Sequence, residues 1–202
     1  MKNRSLFDRR PILVAVAGPN GAGKSTFYEV FLRQAGLRYV NADDIARELQ
    51  IDAYEAARFA EQVRQILFEA GESFVFETVF SDPAGAKLAF LASAKEKGYT
   101  VVLVFIGVDA DASEERVAMR VAKGGHDVPT EKLATRHPRT MRNLKAALRE
   151  LPNVLVYDNS DLAQPYTLVA EYVDGALVGP DPRPPPPPWF AKVMSDGDGG
   201  SG

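Results

Sequence analysis

The sequence predicts an α/β fold, a parallel sheet with helices on both faces, and three observations predict it. Short apolar runs alternate with amphipathic stretches along most of the chain. A glycine-rich segment, Gly18-Pro-Asn-Gly-Ala-Gly-Lys-Ser25, joins the first apolar run to the first amphipathic one. The most apolar run, Thr100–Val108, has no wet face and reads as a central parallel strand.

The elements follow in order. Ile12–Ala17 is the first strand, and Lys24–Ala35 is a helix closed by Gly36. Arg38–Asn41 is a short second strand. Ala57–Ala70 is amphipathic, with Phe59, Val63, Ile66, Leu67 and Ala70 on one face and Gly71 as its stop. Ser73–Phe76 is a third strand that ends at Glu77. Ser81-Asp82-Pro83 reads as a helix start, with that helix running to about Lys97. Ser113–Ala122 is helical and Gly124-Gly125 breaks it. A further helix starts near Thr130, and Pro138 is expected to kink or divide it. Val154–Tyr157 is a buried strand, and Tyr166–Val173 with Ala176–Val178 form a terminal pair around Asp174-Gly175.

One domain is expected over 1–179 and a tail over 180–202. Pro184–Pro188 favour an extended polyproline rod, and Asp196–Gly202 is glycine-rich, so the tail is expected to be disordered. Trp189-Phe190 is its one feature able to dock on a core or a partner.

Composition sets bounds. A chain of 202 residues with 46% hydrophobic and 25% charged residues is an ordinary soluble domain. A net charge of −3 gives no general pull toward nucleic acid or membranes. The absence of cysteine excludes disulfides, cysteine-zinc sites and a cysteine nucleophile. No apolar run is long enough to span a bilayer. Residues 1–17 mimic a secretory signal, but cleavage there would remove the strand before the glycine-rich segment, so a cytoplasmic protein is expected.

The glycine-rich segment is a full G-x-x-x-x-G-K-[ST] phosphate-binding loop between a strand and a helix, which makes the chain a P-loop NTPase. Backbone N–H groups over Gly18, Pro19, Asn20, Gly21, Ala22 and Gly23 can wrap a polyphosphate, aided by the positive end of the helix. Lys24 can reach the β- and γ-phosphates, and Ser25, followed by Thr26, can ligate Mg²⁺. ATP or GTP is the expected ligand.

Three further clusters lie at the carboxyl ends of strands, where open α/β sheets bind ligands. Asn41-Ala-Asp43-Asp44 offers a carboxylate that can take a proton from a substrate hydroxyl. The same residues suit a helix cap, and one aspartate can cap while the other works. Glu77-Thr78 ends an apolar strand and is placed to hold a substrate, or it marks the strand's exit to solvent. Buried neighbours Phe74, Val75 and Phe76 favour the first reading. Arg116–Arg142 carries Arg120, Arg136, Arg139 and Arg142 around Gly124-Gly125-His126, which suits a hinged lid over about 120–142 or a solvated helix face. His126 and His137, without an acidic cluster, do not make a metal site. Asp109 ends a long apolar strand and resembles a Walker B aspartate, but the helix-capping reading ranks higher.

These motifs resemble the zeta-toxin-like kinases, particularly their compact chromosomal branch. The resemblance rests on Gly18–Thr26, Val40-Asn-Ala-Asp43, Phe74-Val-Phe-Glu-Thr78, Gly124-Gly-His-Asp-Val-Pro129, Arg136-His-Pro-Arg139, Arg142-Asn-Leu144 and Tyr157-Asp-Asn-Ser160. It implies a nucleotide-kinase-like three-layer fold with a helical lid, and ATP with Mg²⁺. Zeta-type proteins phosphorylate the 3′-hydroxyl of the sugar of UDP-N-acetylglucosamine, so a UDP-sugar is the implied small-molecule substrate. By the same resemblance Asp43 looks like the catalytic base, and Glu77 and Thr78 like substrate holders. Arg120 and one of Arg136 or Arg139 look like lid arginines on the phosphates, and Tyr157–Ser160, Asn159 included, would lie near the adenine. An antitoxin partner is compatible with the resemblance and has no signal in the sequence. The alternatives are a kinase of another alcohol (a nucleoside, an antibiotic or a nucleic-acid end) and a non-catalytic nucleotide switch. The acidic balance weighs against nucleic acid.

Overall fold

Five apolar runs fold into the parallel strands of one sheet in a computed structural model, which describes residues 4–122, 130–181 and 183–195. A short helix, α1 (Arg4–Phe7), precedes β1 (Ile12–Ala17). The other strands are β2 (Arg38–Val40), β3 (Phe74–Thr78), β4 (Thr100–Gly107), β5 (Asn153–Asp158), β6 (Thr167–Val173) and β7 (Ala176–Gly179). Their order in the sheet is β2-β3-β1-β4-β5-β6-β7. The first five are parallel, while β6 and β7 add an antiparallel hairpin edge, so the sheet is mixed. β1 is central. Ala17 aligns with Thr78 of β3 and with Phe105 of β4, so the exits of all three strands are level. This places the phosphate loop beside Glu77 and the end of β4.

The uniform apolarity of β1 and β4 follows from burial on both faces. Leu13, Ala15, Phe74, Phe76, Leu103 and Phe105 face one core. Ile12, Val14, Val16, Val75, Val102 and Val104 face the other, the strict alternation of a pleated strand. α2 (Lys24–Phe27), continued by a wide turn (Tyr28–Leu32) and a tight turn (Arg33–Ala35), covers the second core. α4 (Ala53–Glu69), α5 (Ala86–Glu96), α7 (Thr130–Glu150) and α8 (Pro188–Ser195) cover the first. α3 (Ala42–Leu49) packs on α4, and α6 (Ala110–Ala122) leads from β4 toward α7.

Four expectations change. First, α4 buries Ala56, Ala60 and Arg64, whereas Phe59, Val63 and Ile66 are 41%, 38% and 64% exposed. Small residues let the helix approach α3 and the edge strand β2, and the larger stripe is left outside. The Arg64 guanidinium lies 5.2 Å from the Phe76 ring centroid, a cation–π arrangement. Second, the helix expected from Ser81 begins at Ala86 instead. Asn143 Nδ2 donates to the carbonyls of Phe80 (2.9 Å) and Asp82 (3.0 Å), which holds that segment as a loop. Third, α7 runs through Pro138 without a break. Pro138 is exposed, and burial of Leu133, Thr140, Leu144 and Ala147 outweighs an interior proline's cost of about 3 kcal/mol.

Fourth, the tail expected to be disordered contains α8, packed on the first core through Trp189, Phe190 and Val193. The indole lies against Gly107, where any Cβ would overlap it, and its Nε1 donates to Asp158 Oδ1 at 2.8 Å. Burial of an aromatic pair, with the one polar hydrogen satisfied, outweighs the ordering of eight residues. The domain boundary expected at 179 therefore does not separate Pro188–Ser195 from the core. Residues 196–202 lie outside the described residues.

Candidate active site

The phosphate loop is held by its carbonyls. Ser113 Oγ donates to Asn20 O (2.7 Å), Asn159 Nδ2 to Ala22 O (2.8 Å) and Tyr166 OH to Gly23 O (3.0 Å). Three separate elements thus pull the loop's carbonyls to the protein side. Peptide planarity then helps turn the following N–H groups toward the hollow of the loop. Gly23 has φ +90°, and a Cβ there would meet Asn159 Nδ2 and Tyr166 OH at 2.8 Å each. Only glycine satisfies both demands. Asn20 Oδ1 is buried with no partner among the described residues.

Lys24 and Ser25 both meet Glu77. Lys24, 6% exposed, donates from Nζ to Pro19 O at 3.0 Å and lies 3.7 Å from Glu77 Oε1. Ser25 Oγ donates to Glu77 Oε2 at 2.8 Å. The same oxygen accepts from Tyr39 OH (2.7 Å) and Asn41 Nδ2 (3.0 Å). Tyr39 stacks on Tyr28 with ring centroids 3.6 Å apart. Burial, then the Glu77 carboxylate, push the Tyr39 hydroxyl far above the usual phenol range, so it stays a donor. The strand-end carboxylate beside the phosphate loop is therefore Glu77. Asp109 precedes α6, and its carbonyl accepts from Ser113 N at 3.0 Å.

Asn41 is the cap of α3, its Oδ1 accepting from Asp43 N at 2.8 Å. Neither aspartate occupies the cap position. Asp44 is paired with Arg47 at 2.6 Å, whereas Asp43 is exposed and makes no side-chain hydrogen bond or ion pair among the described residues. Thr78 Oγ1 accepts from Phe80 N at 3.0 Å and shapes the loop after β3.

The arginines divide. Arg120 lies on α6, but its side chain, like Gly124, Gly125 and His126, is outside the described residues. Arg136 and Arg139 lie on α7, half-buried. That stretch is moored over the strand exits. His137 Nε2 donates to Val108 O (3.1 Å), and Thr140 Oγ1 donates to Val79 O (2.9 Å). Arg116 Nη2 reaches Ser160 O (3.1 Å), bridging α6 to the loop after β5.

Tyr39, Ser113 and Tyr166 were not singled out as site residues from the sequence, and Asn143 entered only as the middle of the Arg142-Asn-Leu144 motif, with no role. Tyr39 and Asn41 alternate around Val40 on a strand, a signal that they share a face. The other three act across 93, 143 and 61–63 residues of chain, for which the sequence holds no local sign.

The residues present fit ATP and Mg²⁺. The loop's carbonyls are tied back to the protein, which leaves its N–H groups for a polyphosphate, and Ser25 Oγ with Glu77 Oε2 offers hard oxygens beside it. No described helix is long and apolar enough to cross a membrane.

A family model described as Zeta toxin matches residues 1–168. No curated protein matches the sequence. Among solved structures, the chain is similar to the AvrRxo1-ORF1:-ORF2 complex with ATP, at 17% identity and a TM-score of 0.70, covering 96% of this chain and 67% of that one. It is similar to a putative kinase from Chloroflexus aurantiacus at 17% identity and a TM-score of 0.55, covering 77% and 92%. It is also similar to the PezAT chromosomal toxin–antitoxin system of Streptococcus pneumoniae at 18% identity and a TM-score of 0.54, covering 84% and 77%. At these identities the likeness is one of fold.

Proposed function

For a chain that belongs to the zeta toxin family and is a kinase, we propose that it transfers the γ-phosphoryl group of ATP to the sugar hydroxyl of a UDP-sugar, with UDP-N-acetylglucosamine as first acceptor. The observation that carries phosphoryl transfer is the cluster of Lys24, Ser25 and Glu77, joined through Asn41 to the helix turn that bears Asp43, whose carboxylate is unpaired among the described residues. A paired phosphate end and a free carboxylate near it are the two parts such a transfer needs. The choice of acceptor rests on family membership.

The roles follow from placement. The loop backbone binds the polyphosphate, and Lys24 neutralises charge that moves toward the β–γ bridging oxygen as the bond breaks. Ser25 and Glu77 would hold Mg²⁺ between them and the phosphates; the ion supplies charge neutralisation there. Glu77, read from the sequence as a substrate holder, is better explained in this role, since both its oxygens face the phosphate loop. Asp43 takes the proton of the acceptor hydroxyl as that oxygen bonds to phosphorus and ADP leaves. Arg136, Arg139 and Arg120 close over the transferring group and exclude water. Thr78 and the loop it shapes form the acceptor's wall. A cytoplasmic location is consistent with these proposed substrates, and an antitoxin of the kind named in the PezAT structure is a compatible partner.

The test is incubation of purified protein with ATP–Mg²⁺ and a panel of UDP-sugars, nucleosides, antibiotics and oligonucleotides, read by mass spectrometry for one added phosphoryl group. A phosphorylated UDP-N-acetylglucosamine is expected. Product from another acceptor alone overturns the UDP-sugar assignment and leaves the kinase; ATP binding with no product from any acceptor favours a nucleotide switch.

A further inference from the structure

A cavity of about 820 Å³ lies between α6, α7 and α8, within the range of roughly 300–1,000 Å³ typical of small-molecule sites. We propose that it is a second ligand site, for a small organic anion with an apolar body. Leu133, Met141 and Val193 supply an apolar wall, and Trp189 closes one side. Lys145, Arg142 and Lys192 supply three cations from α7 and α8. Asp109 and Glu114 stand on the α6 side. Among the described residues none of these five charges is in an ion pair, although they line one space.

Lys145 carries the argument furthest. Its Nζ is buried and has no hydrogen-bond partner among the described residues. An ammonium held from water without an acceptor is costly, and turning the side chain to meet a carboxylate, sulfonate or phosphate ester of a ligand in the cavity removes that cost. The apolar wall beside it selects an anion with a hydrocarbon or ring body over a bare inorganic ion.

The cavity is separate from the lid arginines by helix phase. Ala134, Pro138, Met141 and Lys145, spaced by three or four residues, line it from one side of α7. Arg136, Arg139 and Asn143 recur on the other side, with Thr140 and Asn143 fastened to the loop after β3. The α8 wall lies beyond the residues matched by the family model, which end at 168. An occupant would nonetheless touch Ser113 and His137, whose other contacts are the phosphate loop and the end of β4.

The experiment uses the full chain and anilinonaphthalene sulfonate, an aromatic anion, as probe. Trp189 is the only tryptophan in the chain and lies in the cavity wall, so bound probe quenches its emission by energy transfer. Saturable quenching is expected, with Kd raised about tenfold or more in Lys145→Met, the loss of one charge-assisted hydrogen bond, and restored in Lys145→Arg. Saturating ATP–Mg²⁺ or UDP-N-acetylglucosamine should leave the quenching in place. Equal affinity in Lys145→Met, or displacement of the probe by either substrate, overturns the proposal. If Lys145→Met lowers the melting temperature, Ala134→Phe decides: it narrows the cavity without altering a charge, so lost quenching supports the site and retained quenching overturns it.

Discussion

The phosphate end of the site and its proposed acceptor end are built in opposite ways. At the phosphate end, Lys24, Ser25, Tyr39 and Asn41 all converge on Glu77, and three distant side chains fix the loop's carbonyls. At the acceptor end, Asp43 stands exposed and unpaired among the described residues, on the first turn of a helix whose cap is another residue. A triphosphate presents the same charges whenever it binds, so groups set in advance cost no rearrangement in the reaction. A general base must instead keep its lone pair free until an acceptor arrives. The difference teaches that order marks where charge is held and openness marks where a proton is taken.

Substitutions at the two ends test that contrast. Lys24→Ala should have the largest effect, a loss of at least about 10³-fold in kcat, because it removes the buried charge proposed to meet the transferring phosphoryl group. Single-turnover transfer with a circular-dichroism check on folding measures it, and near wild-type turnover would remove the kinase reading. Asp43→Asn should lower kcat by roughly 10²–10⁴-fold, the usual contribution of a general base, with ATP affinity nearly unchanged. Asp44→Asn should be close to wild type, since Asp44 is spent on Arg47 at the surface. The reverse result would exchange the two roles.

Trp189→Ala tests whether the phosphate end depends on remote packing. A buried tryptophan truncated to alanine costs about 3–5 kcal/mol, so a thermal melt should shift down by many degrees. Deletion of residues 183–202 should do at least as much, and an unchanged melt would show that α8 is not part of the core. Glu77→Gln should act more mildly and specifically. It keeps the shape of the cluster but weakens the metal end, so the Mg²⁺ concentration for half-maximal rate should rise about tenfold while metal-free nucleotide binding persists. A raised KM for the acceptor alone would return Glu77 to the substrate-holding role. Arg136→Ala and Arg139→Ala should each lower kcat only a few-fold to about tenfold, with little change in ATP affinity, because a lid arginine helps most once charge redistributes. Purely KM effects from both would make α7 a ground-state binding surface.

The strands were readable because burial on both faces leaves a continuous apolar run, and β1 and β4 carry the longest. The phosphate loop was readable because its function lies in consecutive backbone groups. α4 was misjudged because periodicity locates a stripe of apolar residues but not the direction it faces; packing against α3 and β2 selected Ala56 and Ala60 over Phe59 and Val63. The start of α5 was misplaced because a good local cap at Ser81-Asp82-Pro83 lost to Asn143, which claims the carbonyls there from another helix. The proline-rich tail looked unable to fold because local propensity ignores what Trp189 finds at Gly107.

The sequence by itself determined the α/β class, the phosphate loop with Lys24 and Ser25, and the positions of Glu77 at a strand end and Asp43 just after one, since each depends on residues adjacent along the chain. Tertiary structure alone decided that Glu77 serves Lys24 and Ser25, that Asn41 frees Asp43 from capping, that Ser113, Asn159 and Tyr166 hold the loop, and that α8 joins the core. The physical reason is range. Backbone conformation and apolar periodicity are set within a few residues, but a hydrogen-bond partner or a packing face is chosen by whatever the fold brings within about 3–4 Å, however distant in the chain.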